Sequence, residues 1–439
     1  MKYNSNFTDI EVGEYCHTLA QRLFPICRSL TGPGVRETLA IIGEHLPGLQ
    51  IEEVPSGYQA FDWNVPNEWH IKDAYLEDAN GNRLIDFKTN NLHVLGYSEP
   101  IDTVLTLEEL QQHLYSLPAQ PEAIPYITSY YSRRWGFCLT HTQRLALKPG
   151  NYRAVIDAEL KPGVLNYAHI VIPGESTQEV FLSTYVCHPS MANNELSGPV
   201  VTTALINWLM SLPSRKYTYR VVFIPETIGS IVYLSKHHTQ LKQQVIAGFN
   251  ISCVGDDRCY SFLPSRNGET LSDKAARHAL QHIDRNYKRY TWMDRGSDER
   301  QYCAPGIDLP IATIMRSKYG EFPEYHTSLD DLTLVTPAGL GGGFAALRDA
   351  LEIIENNQTL KCTVLCEPQL GKRGLYPTIS TKDTAGKVRT MMGLISYCDG
   401  TLSLLEIAEK IDHPFQDLVR IAKPLIENGL LAPFDKSQH

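Results

Sequence analysis

Apolar and polar positions divide the chain into regions of different period. Over residues 8–45, Tyr15, Leu19 and Leu23, then Val35, Leu39 and Ile42, recur near helical spacing. The stretch SLTGPG at 29–34 interrupts them, so two helices are predicted. From about residue 58 the texture changes to alternation, in FDWNVPNEWHIKDAYLEDANGNRLIDF, with Asn80-Gly81-Asn82 between two strand-like runs as in a hairpin. Residues 58–150 are aromatic-rich and predict a mainly β insert with one short helix at 106–116.

From 151 the pattern becomes α/β. Strand-like runs at 152–159, 167–173, 180–186, 219–225, 245–252 and 311–315 alternate with helical runs at 197–211, 229–243, 270–289 and 336–356. Such alternation predicts a mostly parallel or mixed sheet covered by helices. The first helices are expected on the same sheet, so the core comprises 1–57 and 151–364, with 58–150 inserted. A linker is predicted at 367–378, EPQLGKRGLYPT. Three short helices and LLAPF follow, which fits a winged-helix module over 365–439.

Composition narrows the class. The 439 residues are 43% hydrophobic and 20% charged, ordinary for a globular chain and long enough for two or three domains. A net charge of -9 gives no general attraction to nucleic acid or anionic membrane. The winged helix does not change this, because FQDLVRIAKPLIENGLL carries Arg420 and Lys423 but no basic run. The start, MKYNSNFTDIEVGEY, lacks the features of a secretory leader, and no apolar stretch reaches the ~18 residues that span a bilayer. Ten cysteines are scattered, and Cys362 and Cys366 have no second pair to complement them. Reduced thiols in a cytoplasmic protein are expected rather than disulfides or a structural zinc knot.

Candidate chemistry concentrates at strand ends. The segment VFLSTYVCHPSMANNELSGPVV, Val180–Val201, predicts a buried strand that delivers His188 to the sheet's C-terminal edge, a polar loop with Glu195, and then a helix. Ligands bind at that edge in open α/β sheets. VVFIPETIGS places Glu226 at the same edge, RGSDERQY places Asp298 ahead of another strand, and YGEFPEYHTSLDDL places His326 in a loop. Catalytic zinc takes three such ligands and leaves a position for water, and a nearby carboxylate accepts the proton. His188, Glu195 and His326 could supply the ligands and Glu226 the base. Glu195 and Glu226 could equally be acids at helix starts, where the dipole favours them. Arg316 could stabilise an oxyanion or pair with Glu321 or Glu324, and Tyr325 could donate to a tetrahedral intermediate or simply pack. Asp298 could orient a histidine or the substrate amine, or serve as a turn residue.

The ordered set of His188, Asn-Glu-Leu-Ser-Gly, Glu226 and Tyr325-His326-Thr327 resembles the zinc aminopeptidase family. The signatures LFPICRSLTGPGVRETL, FDWNVPNEWHIKDAYL, NNLHVLGYS and CHPSMANNELSGPVV bring the chain closer to bacterial aminopeptidase-like domain proteins associated with surface polysaccharide genes. That resemblance implies a phosphorylase/hydrolase-like α/β/α zinc-peptidase core, an inserted β domain and a C-terminal winged helix. His188 matches the first histidine ligand, His326 the last and Glu226 the general base. Carboxylates of the usual two-metal site fall on Asn194, Thr227 and Ser252, so the resemblance implies a single zinc ion. The implied substrate is a small peptide or other amide. Membrane and nucleic acid are not expected as partners, and self-association into a homo-oligomer is left open.

Overall fold

The strand Ser176–Tyr185 is buried on both faces over its last seven residues, which explains why VFLSTY reads as a nearly unbroken apolar run. In the computed structural model, which describes residues 2–375 and 382–434, this strand is central to an eight-stranded sheet. The order is Gln50–Pro55, Val164–Ile172, Tyr217–Ile224, Ser176–Tyr185, Val245–Asn250, Ile311–Met315, Ser261–Leu263 and Lys288–Arg289. Ser176–Tyr185 runs parallel to both neighbours, and Val245–Asn250 runs parallel to Ile311–Met315. The outer pairings include antiparallel ones, so the sheet is mixed, as expected.

The chain leaves the central strand towards Tyr217–Ile224 on one side and later returns to Val245–Asn250 on the other. The order therefore reverses beside Ser176–Tyr185, and a crevice opens at the carboxyl ends of these strands. Helices Ser197–Ser211 and Ile228–Gln244 follow the first two parallel strands at the predicted places. The N-terminal region forms Asp9–Leu23, closed by a capping box at Thr8, and Pro33–Gly43.

The insert forms a four-stranded antiparallel sheet in the order Arg83–Asp86, Glu68–Glu77, Asn151–Lys161 and Ile101–Thr106. Asn151–Lys161, assigned to the core from its pattern, thus completes the insert's sheet, and the core sheet resumes at Val164. The short helix of the insert is Leu107–Leu110, continued by one 3-10 turn.

Two compact units divide the chain, Met1–Thr270 with Tyr287–Ala345, and Leu271–Asn286 with Ala346–His439. In the second, helices Lys382–Tyr397, Leu404–Lys410 and Phe415–Glu427 accompany a small sheet ordered Asp399–Ser403, Thr359–Cys362, Leu431–Pro433. Thr359–Cys362 pairs there and not with the core sheet, so this module begins before residue 365. Leu271–Ile283 also belongs to this unit, where His278 Nε2 accepts a 3.1 Å hydrogen bond from the Phe415 amide. Residues 376–378 of the predicted linker and 376–381 and 435–439 of the predicted module lie outside the described residues. All ten cysteines are free thiols, and among the described residues no helix is long and apolar enough to cross a membrane.

Candidate metal centre and active site

Beyond Tyr185 the chain turns through Val186, Cys187 and His188, all buried at the crevice. The NNEL segment then forms one wide π-helical turn, Ala192–Leu196, before the α-helix begins at Ser197. Turns of this kind cluster at functional sites because they re-aim side chains. Asp330 fixes this one, accepting the Asn193 amide at 2.6 Å and the Asn194 amide at 2.9 Å. Asn193 in turn accepts the Gly255 amide at 2.9 Å and donates to Asp256 at 3.0 Å, so its side chain is structural. Gly198 lets the helix touch the strand ends, since a Cβ there would meet the Ile251 carbonyl oxygen at 2.5 Å and the Thr184 hydroxyl.

The result presents His188 with both ring nitrogens engaged differently. Nδ1 lies 2.7 Å from Glu195 Oε2, and Nε2 lies 3.7 Å from Glu226 Oε2. Glu195 is wholly buried, its Oε1 has no hydrogen-bond partner, and Arg28 Nε stands 3.7 Å from that oxygen. Arg28 is itself sealed from solvent and donates to the His188 carbonyl at 3.0 Å and the Leu23 carbonyl at 2.7 Å. Burial alone would lower the His188 imidazole, but the adjacent Cys187 and the Glu195 carboxylate outweigh it and hold the ring well above its ordinary range. Cys187 is pushed up to about 11 by burial, and its sulfur accepts the Glu226 amide at 3.3 Å.

His326 faces the same space. Its ring centroid is 5.6 Å from that of His188, and Tyr126 stands 5.2 Å from each ring. Burial and the neighbouring His188 lower His326 to about 3, leaving a neutral imidazole with a nitrogen lone pair. Its loop is tied to the insert: the Tyr126 amide donates to the His326 carbonyl at 2.9 Å, and Ile124 and Ser328 exchange two hydrogen bonds. Tyr325 stacks on His326 at 3.9 Å, and burial raises its phenol. Glu226 is raised by burial, against the opposing pull of His188. Beside it, Asp298 is pushed up to about 8 by burial and by the Glu226 charge.

The expected residues are therefore only partly assembled as drawn from sequence. His188, His326, Glu226 and Tyr325 share the crevice. Glu195 reaches His188 from the Nδ1 side, and His188, Glu195 and His326 do not bring their ligand atoms together within 4.8 Å. The trio that does so among the described residues is Cys187, His188 and Glu195. Arg316 does not join the cluster: its guanidinium lies 3.8 Å over the Tyr260 ring, packed against Gly342. Asn194 takes part through its backbone and through the Tyr185 hydroxyl, with its side-chain Nδ2 unpartnered. Sequence reading missed Arg28, Cys187 and Tyr126; an arginine embedded in LFPICRSL was the one available signal.

Two imidazoles with carboxylates nearby are the donors zinc prefers. On the far side of His188, Glu195 Oε1 has no hydrogen-bond partner and faces Arg28 at 3.7 Å. His188 and His326 are the two imidazoles of the crevice that could donate to such an ion. Next to them lies a cavity of about 180 Å³ lined by Leu30, Trp63, Tyr130, Tyr131, His188 and Glu226.

The mixed sheet with a crevice at its switch point has the fold of M28-type aminopeptidases, and a winged helix follows it. The chain belongs to the family described as a domain of unknown function, DUF4910, which matches residues 17–357, and residues 358–433 match a winged helix-turn-helix family. A Clostridium acetobutylicum protein named for polysaccharide biosynthesis and an aminopeptidase-like domain is 43% identical over 432 residues, 98% of each chain. A crystal structure from the same organism, provisionally named a peptidase, has TM-score 0.91 and 41% identity over 97% of each chain. A zinc aminopeptidase from Bacillus subtilis has TM-score 0.59 at 12% identity, covering 80% of this chain and 96% of its own. At that identity the likeness concerns the fold.

Proposed function

We propose that the chain is a single-zinc hydrolase of an amide or peptide bond. The observation that carries this reading is His188, held from behind by Glu195 at 2.7 Å and presenting Nε2 towards Glu226 Oε2 at 3.7 Å. His188 and His326 would hold the ion, and Glu195 would orient His188. When bound, zinc polarises a substrate carbonyl and acidifies water. Glu226 accepts the proton of the attacking water through its carboxylate and returns it to the leaving amine; its raised pKa suits both directions. Tyr325, beside His326, flanks the reacting carbonyl. The adjoining cavity of about 180 Å³ has room for the substrate's reacting end.

The substrate is a small peptide or amide-bearing molecule, and the name of the Clostridium relative favours one from surface-polysaccharide assembly. A second reading, a ligand-binding descendant without turnover, is favoured by the neutral side chains of Asn194, Thr227 and Ser252 at the crevice. Metal analysis of freshly purified protein and a panel of aminoacyl amides, dipeptides and N-acyl amino sugars separates the two. The hydrolase reading expects about one zinc per chain, lost on H188A, and turnover reduced about 10²–10⁴-fold in E226Q with the metal retained. Protein without metal overturns it, and metal without turnover across the panel gives the second reading.

A further inference from the structure

Glu226 is delivered by an unusual piece of backbone. Thr227 sits at φ 64°, ψ −74°, and the Ile228 amide donates to the Glu226 carbonyl at 2.8 Å. This is a γ-turn of the rarer, strained hand. A β-branched residue is especially ill-suited to positive φ, because its Cβ crowds the backbone. The turn fixes the direction in which the Glu226 side chain leaves the strand end, since Pro225 precedes it and the helix Ile228–Gln244 begins after it.

Strained backbone persists where neighbours over-determine it. Asp298 Oδ1 accepts the Thr227 amide at 2.7 Å and the Ser230 hydroxyl at 2.8 Å. Arg300 donates to the Thr227 hydroxyl at 3.1 Å. Asp298 is wholly buried, and its second oxygen has no hydrogen-bond partner. Its hydrogen bonds are therefore spent on this turn and the first turn of the following helix.

We propose that Asp298 is a positioning residue, clamping the Thr227 γ-turn so that Glu226 points at the Nε2 side of His188. The proposal rests on Glu226 being the base, and it is tested partly without catalysis. In ¹⁵N-threonine-labelled protein the Thr227 amide proton should stand far downfield, as a hydrogen bond this short requires. D298N keeps an acceptor oxygen, and D298A does not. The Thr227 signal should survive in D298N and move upfield in D298A. On the best substrate of the panel, D298A should lower kcat at least about tenfold with KM within about twofold, and D298N should restore most of the rate. Because glycine adopts positive φ freely, T227G should recover part of the loss when combined with D298A. An unmoved Thr227 signal in D298A, or equal rates for D298A and D298N, overturns the clamp. If D298A does not fold, D298N decides alone, and loss of its downfield signal overturns the clamp. Absence of turnover across the whole panel instead overturns Glu226 as base, while the amide signal still reports the clamp.

Discussion

His188 and Glu195, seven residues apart, meet through Nδ1 and Oε2 at 2.7 Å with both side chains almost wholly buried. The π-helical turn between them creates this meeting: it swings Glu195 back under the ring it follows. A carboxylate on Nδ1 fixes the ring's orientation and leaves Nε2 facing the crevice.

From this relationship, E195A should weaken zinc binding about 10–100-fold, and E195Q, which can still accept from Nδ1, should weaken it less. Competition with a chromophoric chelator measures both. Equal affinities in parent and E195A would remove Glu195 from the metal's support.

Arg28 should prove a structural necessity on the same axis. It faces Glu195 Oε1 at 3.7 Å with both side chains fully buried, and it also satisfies two carbonyls. R28M strands the carboxylate, and breaking one side of such a pair costs about 3–5 kcal/mol. Adding E195Q removes the stranded charge, so the double variant should be destabilised by less than the sum of the two singles. Thermal unfolding of the metal-free proteins gives the comparison.

Much of the fold was legible because its core strands carry long apolar runs and its helices end near turn residues. Ser176–Tyr185, Tyr217–Ile224 and Ser197–Ser211 lie within a few residues of their expected places. Less legible was which sheet a strand joins. Asn151–Lys161 and Thr359–Cys362 have ordinary strand patterns, and only non-local pairing assigns them to the insert and to the winged-helix module. His188 and Glu226 were expected at strand ends and His326 in a loop, and the structure brings all three to one crevice. The contact of Glu195 with His188 Nδ1 could not be read, because a π-turn has no sequence period of its own. Arg316 misled for the converse reason: a charged residue after a strand looked available, yet it stacks on Tyr260.

Gly198 should tolerate no side chain. A methyl there would meet the Ile251 carbonyl oxygen at 2.5 Å, backbone that cannot swing aside, as well as the Thr184 hydroxyl. G198A should therefore push the helix Ser197–Ser211 off the strand ends and cost about 1–3 kcal/mol or more. Denaturant unfolding measures the loss. Because the same helix follows the π-turn, zinc affinity should fall in parallel, and a variant with parental stability would contradict the packing account.

Asp298 gives a pH dependence whose sign follows from its burial. Burial and the Glu226 charge raise it from its ordinary 3.8 to about 8 in the folded chain. Between those values the folded protein holds a proton that the unfolded chain has released. Stability linked to this group is therefore greatest at low pH and declines as pH rises towards about 8, by at most about 1.4 kcal/mol per pH unit. An amide at this position does not titrate and keeps the acceptor that holds Thr227. Urea unfolding of parent and D298N between about pH 5 and about pH 7.5 should show the parent losing stability relative to the variant as pH rises. Parallel pH dependences would mean that Asp298 is already ionised throughout, with the Thr227 amide and Ser230 hydroxyl sufficing to hold its charge.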